Sequence, residues 1–183
     1  MNERFIIGVD FDGTMVKHRF PHIGDPVPGA LEWLRKYHQK GASLLLWTIR
    51  CKQGSMGDVL TPAIEWSEQH GIYFWGVNEN PDQRNEIYSH GGPPNWSTSP
   101  KVFAHIYADD SAAGAPLIYE AGHAPYLNWS LVGPHIEKVM HWYQQLGDVK
   151  IDTTELNHGS TIYSDRFDLS PQIELPEPRL IEL

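Results

Sequence analysis

The chain has 183 residues, of which 40% are hydrophobic and 20% are charged, and its formal net charge is −9 at pH 7. This length suits a single domain with a sizeable core. The acidic balance disfavours a nucleic-acid-binding surface, which needs clustered lysine and arginine. The single cysteine, Cys51, excludes an intramolecular disulfide and fits a reducing compartment. Since we find no signal segment and no apolar run as long as a membrane span, we expect a cytoplasmic protein without membrane contact.

Apolar runs alternate with helical patterns over residues 1–146, which we predict to form one domain. The predicted strands are residues 5–9, 43–48 and 72–77 and a fourth strand that includes 105–108. The predicted helices are residues 30–38, closed by Gly41, 59–70, with Asp58 as N-cap, and 133–146. Strands that read as continuous apolar runs between helices favour a parallel sheet covered on both faces. The predicted fold class is therefore α/β with a central parallel sheet.

Polar residues follow the four predicted strands at the points where the strands end. In an open parallel sheet, ligands bind beyond the carboxyl ends of the strands. We therefore expect one edge of the sheet to carry the four residues Asp10, Thr48, Asn78 and Asp109.

The first strand ends in the string DFDGT, in which Asp10 and Asp12 lie two residues apart. Like charges so close raise each other's pKa unless a neighbour neutralises them. Asp109 and Asp110 follow the fourth strand, so four carboxylates are expected to meet at this edge. These groups would repel one another without a cation, and hard oxygen ligands suit Mg²⁺. The alternative is an Asp-Gly turn without a function.

The chain resembles the haloacid dehalogenase superfamily in four features that occur in the order of its four motifs: DFDGT, the hydroxyl of Thr48 in LLLWTIR, Lys101, and the pair Asp109–Asp110. The resemblance is to the phosphatase branch, in which a second aspartate follows the first by two residues. Over residues 3–146 the chain further resembles a group of members without a cap domain that are known from bacteria and phages. This likeness implies that residues 1–146 form the catalytic domain, with the fold of a Rossmannoid three-layer sandwich. It also implies a protein in the cytoplasm of a bacterium, or of the host cell if a phage encodes it.

The spacing between the motifs also argues against a cap domain over the site. There are 35 residues between Asp12 and Thr48 and 52 between Thr48 and Lys101. One loop, one helix and one strand nearly fill the first interval, and a helix, a strand and a Gly/Pro-rich connection fill the second. We expect an open site, or one closed by residues 81–100, by the C-terminal segment or by a second subunit.

The resemblance implies a phosphatase that works through an aspartyl-phosphate intermediate on a small-molecule phosphate ester. Asp10 is then the nucleophile, and Asp12 protonates the leaving oxygen and later deprotonates the hydrolytic water. The implied cofactor is Mg²⁺, held by the Asp10 carboxylate, the Asp12 main-chain carbonyl and Asp109. Asp110 would lie nearby or bind the ion through water.

The substrate phosphate is expected to lie against groups that follow the first two strands. Gly13 permits a sharp turn that presents main-chain N–H groups such as that of Phe11. Thr48 would donate its hydroxyl. Arg50 completes a Thr-x-Arg arrangement similar to the Ser-x-Arg of polynucleotide kinase phosphatase domains, where the arginine meets phosphate. The alternative for Arg50 is a solvated surface arginine.

Lys101 is predicted to bind the phosphate only if residues 99–104 turn back toward the sheet edge. Seven residues separate it from Asp109. A fully extended segment would place it about 23 Å away, beyond the reach of a lysine. The mouth of the site is expected to include Lys17, His18, Arg19, Lys52 and Asn78. For Asn78 and Asn80, the alternative is a loop residue that caps its own backbone.

Residues 147–183 form an acidic extension with eight acidic and three basic side chains and prolines at 171, 176 and 178. Its apolar residues favour packing on the core or on a neighbouring subunit, which would build a homo-oligomer. The alternative is a loosely ordered tail.

Three functions are compatible with these residues, two of them enzymatic and one not. The first is a Mg²⁺-dependent phosphomonoesterase for a small phosphorylated metabolite. The second is a binding or regulatory protein that keeps the fold and the metal without turnover, which Asp12 disfavours because binding needs no general acid. The third is a polynucleotide 3′-phosphatase, which the acidic charge disfavours.

Overall fold

A computed structural model describes residues 4–83 and 100–147 of the chain. Its strands and helices are, in chain order, β1 (Ile6–Val9), α1 (Ala30–Gln39), β2 (Ser43–Leu46), α2 (Thr61–Gln69), β3 (Gly76–Val77), β4 (Ile106–Ala108), β5 (Leu117–Ile118), β6 (Tyr126–Leu127) and α3 (Trp129–Gly147). The first four strands and the three helices overlap the predicted ones, although each strand is shorter than expected.

The first four strands form one parallel sheet in the order β3-β2-β1-β4. Strand β1 is central: Val9 pairs with Leu46 of β2 and with Ala108 of β4. Because the strands are parallel, their carboxyl ends meet at one edge of the sheet. The predicted α/β class with a central parallel sheet is confirmed, and the arrangement is consistent with a Rossmann-like sandwich.

Side chains of β1 and β2 alternate between the two faces of the sheet. Ile7 and Leu44 belong to the larger core cluster, which includes residues of all three helices. Ile6 and Leu45 belong to a second cluster on the opposite face, together with Val102 from the segment before β4. Burial on both faces explains why these strands read as continuous apolar runs.

The helix starts follow local capping chemistry. The Asp58 carboxylate accepts hydrogen bonds from the N–H groups of Leu60 (3.1 Å) and Thr61 (2.9 Å), as an N-cap does, although regular α2 runs from Thr61 rather than from residue 59. The Asn128 side chain accepts one from the Ser130 N–H (3.2 Å), so α3 begins at Trp129 rather than at residue 133. Among the described residues, no helix combines the length and the apolar character needed to cross a membrane.

The predicted third strand over residues 72–77 is reduced to Gly76–Val77. The Ile72 N–H donates to the carbonyl of Ser67 in α2 (2.9 Å), so Ile72 belongs to the turn that caps the C-terminus of that helix. Its side chain is nevertheless buried, which is why it gave an apolar signal.

A hairpin that the sequence analysis did not predict follows β4. Strands β5 and β6 are antiparallel and pair Leu117 with Leu127 and Ile118 with Tyr126. Strands of two residues are too short to show an alternating pattern. The Leu127 N–H donates to the carbonyl of Gly13 (2.7 Å), which attaches the hairpin to the loop after β1.

Two predicted features lie outside the described residues. One is the acidic extension, of which only Gly147, the last residue of α3, is described. The other is most of the connection over 81–100 that was considered as a cover for the site. Packing of the extension, a homo-oligomer and an uncapped site therefore stay predictions.

Candidate active site

Three carboxylates converge beyond the ends of β1 and β4. One oxygen from each of Asp10, Asp109 and Asp110 lies within 4.8 Å of the others, and all three residues are half-buried. The cause is the register of the sheet: Val9 pairs with Ala108, so Asp10 and Asp109 both follow the last paired residues. The structure thus brings these three predicted site residues together.

The loop after β1 is a tight turn that Gly13 makes possible. Gly13 has φ 85°, and a Cβ there would clash with His18 Nε2 and lie 2.5 Å from Asp110 Oδ2. The Gly13 N–H donates to the carbonyl of Val16 (2.7 Å). Gly13 therefore permits the turn as predicted, but its own N–H is not available to a phosphate.

Phe11 takes part in this turn through its main chain. Its carbonyl accepts hydrogen bonds from the N–H groups of Met15 (2.9 Å) and Val16 (3.1 Å). Its N–H lies close enough to the Asp10 carboxylate to favour the charged form of that group. Among the described residues, neither the N–H nor the carbonyl of Asp12 has a hydrogen-bond partner. No described group of the protein therefore donates a hydrogen bond to the Asp12 carbonyl oxygen, which is compatible with its predicted role as a cation ligand.

Thr14 connects two of the clustered carboxylates, a role that the sequence analysis missed. Its fully buried hydroxyl lies 3.4 Å from Asp10 Oδ2 and 3.5 Å from Asp110 Oδ1, and it accepts a hydrogen bond from the Asp110 N–H (3.1 Å). The buried Trp129 Nε1–H donates to the Thr14 carbonyl (2.7 Å) and so anchors the turn to α3. The only indication of this role in the sequence was the position of Thr14 in the DFDGT string.

The electrostatics of the cluster favour a bound cation. Burial raises the pKa of Asp10 to about 7; a hydrogen bond from the Phe11 N–H opposes this, and the charges of Asp109, Asp110 and Asp12 add to it. A divalent cation would neutralise much of the negative charge of these carboxylates. Carboxylate and carbonyl oxygens are ligands that hard cations prefer, so the residues present fit such an ion.

The carboxylate of Asp12 does not join the cluster but pairs with Arg50. Arg50 Nε lies 2.7 Å from Asp12 Oδ2, and Nη2 lies 2.8 Å from Oδ1. The remaining guanidinium N–H groups donate to the carbonyls of Pro21 (3.0 Å), His22 (2.9 Å) and Val59 (3.2 Å). The prediction that Arg50 binds phosphate is not supported, because every guanidinium N–H already has an acceptor. The alternative of a surface arginine is wrong, since Arg50 is 1% exposed.

Cations predicted at the mouth of the site are partly neutralised by acids of the same chain. Lys17 Nζ lies 2.5 Å from Glu120 Oε2, on the β5–β6 hairpin. His18 Nε2 lies 3.0 Å from Asp110 Oδ2 and so contacts the acidic cluster directly. Arg19 is exposed and forms no ion pair within the described residues. Lys52 is also exposed, and it lies near enough to Asp58 for their charges to attract.

Thr48 and Asn78 are held together at the ends of β2 and β3. The Thr48 N–H donates to Asn78 Oδ1 (2.8 Å), and the Thr48 hydroxyl accepts a hydrogen bond from the Arg50 N–H (3.2 Å). Within the described residues, the hydroxyl proton of Thr48 has no acceptor. Thr48 therefore keeps the donor predicted for phosphate, and Asn78 serves to position it.

Asn80 caps its own loop rather than facing the site, which was the alternative considered for it. Its Oδ1 accepts hydrogen bonds from the N–H groups of Asp82 (2.9 Å) and Gln83 (3.0 Å), and its Nδ2 donates to the carbonyl of Phe103 (2.8 Å). The buried amide thus ties the chain after β3 to the segment before β4.

The segment that contains Lys101 is not fully extended. The Tyr107 hydroxyl contacts the Val102 carbonyl and accepts a hydrogen bond from the Ala104 N–H (3.1 Å). Extended structure therefore begins only at Ile106, and Lys101 Nζ lies 6.0 Å from the centre of the Tyr107 ring. Contact between Lys101 and a phosphate stays a prediction.

Comparison with solved structures finds a likeness to a conserved protein from Bacteroides thetaiotaomicron. The two chains are 29% identical, with a TM-score of 0.52, over 74% of this chain and 92% of that one. No family model and no curated protein matches the chain. The likeness supports the α/β fold, and the description of the Bacteroides protein names no activity.

Proposed function

We propose that the protein is a Mg²⁺-dependent phosphomonoesterase of the haloacid dehalogenase type, without a cap domain, that hydrolyses a small phosphorylated metabolite. The observation that carries this proposal is the convergence of Asp10, Asp109 and Asp110 within 4.8 Å at the carboxyl end of the sheet. A second carboxylate, Asp12, follows Asp10 by two residues and has a separate environment. A site for cation binding alone would not need it.

Asp10 is the proposed nucleophile. When bound, Mg²⁺ supplies positive charge between the attacking carboxylate and the phosphate and absorbs charge in the transition state. The residues that would hold it are Asp10 and Asp109, the carbonyl of Asp12 and, directly or through water, Asp110. Attack by Asp10 on phosphorus forms the P–O bond of an aspartyl phosphate and breaks the bond to the leaving oxygen.

Asp12 is the proposed general acid and base. It would donate a proton to the leaving oxygen and then take one from the water that hydrolyses the aspartyl phosphate. Among the described residues, the N–H of Asp12 and the hydroxyl of Thr48 are proposed to hold phosphate oxygens, and Lys101 stays a predicted further contact. Arg19 and Lys52, which are exposed, are proposed to attract an anionic substrate.

The experiment that tests this proposal measures hydrolysis of an aryl phosphate with Mg²⁺ and with a chelator. Asp10→Asn preserves the shape of the side chain and should abolish turnover. The matched control is Asp25→Asn, because Asp25 is an exposed aspartate outside the cluster. Turnover that survives in Asp10→Asn would refute the proposal.

A panel of phosphate esters then separates the proposed activity from its alternatives. Negligible hydrolysis across the panel with tight capture of one compound would favour a binding protein. The panel includes a 3′-phosphorylated oligonucleotide. The Thr-x-Arg spacing of Thr48 and Arg50 resembles that of polynucleotide phosphatases. Arg50 gives this alternative little support, because its N–H donors are occupied within the protein.

A further inference from the structure

The guanidinium of Arg50 is enclosed on its edges and on its faces. A guanidinium has five N–H donors, and five acceptors lie within 3.2 Å: both oxygens of Asp12 and the carbonyls of Pro21, His22 and Val59. Its central carbon lies 5.0 Å from the centre of the Phe11 ring and 5.3 Å from that of Phe20. No donor is left for a substrate oxygen.

The contact with Asp12 is the only ionic one among the Arg50 contacts in the described residues. Two parallel N–H···O bonds fix a carboxylate in position and in the rotation of its plane, which a single hydrogen bond does not do. The side chain of Asp12 is 13% exposed and that of Arg50 is wholly buried. A buried charge pair of this kind is strongly disturbed when one partner is removed.

The three carbonyls define where the guanidinium sits. Pro21 and His22 belong to the loop after β1, whereas Val59 lies just before α2. Arg50 itself follows β2 by a short link, with its N–H bonded to the Thr48 hydroxyl. Its position is therefore set by three separate parts of the chain.

We propose that Arg50 is a positioning residue that orients the carboxylate of Asp12 toward the leaving oxygen and the hydrolytic water, and that it does not bind the substrate phosphate. This inference rests on the proposed phosphatase function. It separates two roles that a Thr-x-Arg arrangement leaves open: contact with the phosphate and alignment of the second carboxylate.

The kinetic test compares Arg50→Lys and Arg50→Gln in the wild-type and in the Asp12→Asn background. In the wild-type background, kcat for an aryl phosphate should fall by about 10- to 100-fold, part of the contribution of a general acid-base group. Lysine, which keeps the charge, should lose less than glutamine. KM and the inhibition constant of inorganic phosphate should change by less than about threefold. In the Asp12→Asn background, kcat should hardly change further.

The matched control is Arg35→Lys. Arg35 also donates two hydrogen bonds, both to the carbonyl of His70 (2.9 and 2.7 Å), but it contacts no residue of the cluster. Its replacement should leave kcat and KM at wild-type values. A rise of tenfold or more in KM and in the inhibition constant of phosphate, with kcat unchanged, would overturn the inference, as would an equal loss of kcat in both backgrounds.

A second measurement needs no Arg50 variant and covers the case in which these variants do not fold. The Nε–H resonance of Arg50 is followed by NMR in the wild-type protein while inorganic phosphate is added with Mg²⁺. It should stay protected from exchange and unshifted, and it should move in Asp12→Asn. Loss or a large shift of the signal on adding phosphate would overturn the inference.

The result also separates this inference from the proposed function. A wild-type protein with no Asp10-dependent turnover would defeat the proposed function and this inference with it. Asp10-dependent turnover combined with Arg50 variants that change only KM would defeat the inference alone.

Discussion

Asp10 and Asp109 lie side by side because each follows one member of the Val9–Ala108 pair, the last paired residues of two neighbouring parallel strands. The Asp10 N–H donates to the Ala108 carbonyl (2.9 Å), so the chain is still bonded across the two strands where the carboxylates begin. Residues 99 positions apart thereby share one site.

Cation binding should depend on Asp109. Asp109→Asn replaces one charged oxygen of the cluster with a neutral one and should weaken Mg²⁺ binding by at least about tenfold, since even indirect ligand supports contribute that much. Calorimetric titration with Mg²⁺ measures the change. Asp25→Asn should bind as the wild type does, and an unchanged affinity in Asp109→Asn would contradict the assignment of the site.

Cation affinity should also depend on pH through Asp10. Its pKa of about 7 in the cation-free protein is raised chiefly by burial and further by the charges of Asp109, Asp110 and Asp12. Because the ion needs the carboxylate, binding must displace a proton below this pKa. Apparent affinity should be constant above about pH 8 and fall by up to about tenfold per unit below about pH 7.

Titration in two buffers with different ionisation enthalpies measures the proton released. The expected release is a fraction of one proton at pH 7, rising as the pH is lowered. Equal affinities across this range, without proton release, would show that Asp10 is already ionised or does not bind the ion.

Gly13→Ala should lower the stability of the protein more than Gly57→Ala does. At φ 85° the new Cβ is strained, and it would clash with His18 and Asp110. Unfavourable backbone conformation alone costs about 1–3 kcal/mol. Because the clash adds to this cost, we expect the free energy of unfolding to fall by more than about 1 kcal/mol. Chemical denaturation measures it.

The control for this prediction is Gly57→Ala. Gly57 also has a positive φ of 75°, but no atom lies within 4 Å of a Cβ built there. It therefore reports the backbone strain without the clash. Equal losses for the two variants would mean that the turn around Gly13 tolerates the extra methyl group.

Thr14→Val should destabilise the protein and weaken cation binding together. Valine has the same shape but leaves the partly buried Asp110 N–H without its acceptor, for which a loss of up to about 1–3 kcal/mol is expected. Thr14→Ser, which keeps the hydroxyl, should restore most of both properties. Denaturation and Mg²⁺ titration measure them, and a Thr14→Val protein with unchanged Mg²⁺ affinity would confine Thr14 to a structural role.

The sheet and the acidic cluster were within reach of sequence reasoning because both depend on local patterns. Continuous apolar runs marked β1, β2 and β4, and acidic residues stood directly after two of them. Parallel pairing then required Asp10 and Asp109 to share an edge. The extent of β3 was not predictable in this way, because the apolar residue Ile72 is buried after α2 and not in the sheet.

The partners of individual side chains were outside that reach. Arg50 was assigned to phosphate from its spacing to Thr48, but its carboxylate partner lies 38 positions away and depends on how two loops pack. The turn at Gly13 was expected to present main-chain N–H groups to a phosphate, but the N–H of Gly13 itself closes the turn on Val16. Lys17 is paired with Glu120 on a hairpin too short to be predicted.

The sequence alone was sufficient to predict that acids after the first and fourth strands meet around a cation. Apolar runs, and the acidic residues that directly follow them, are visible in the order of residues along the chain. Only the tertiary structure decided that Asp10, Asp109 and Asp110 form the cluster and that Asp12 pairs with Arg50. The physical reason is that buried charges and donors must all find partners, and those partners come from whichever loops the packed core brings near.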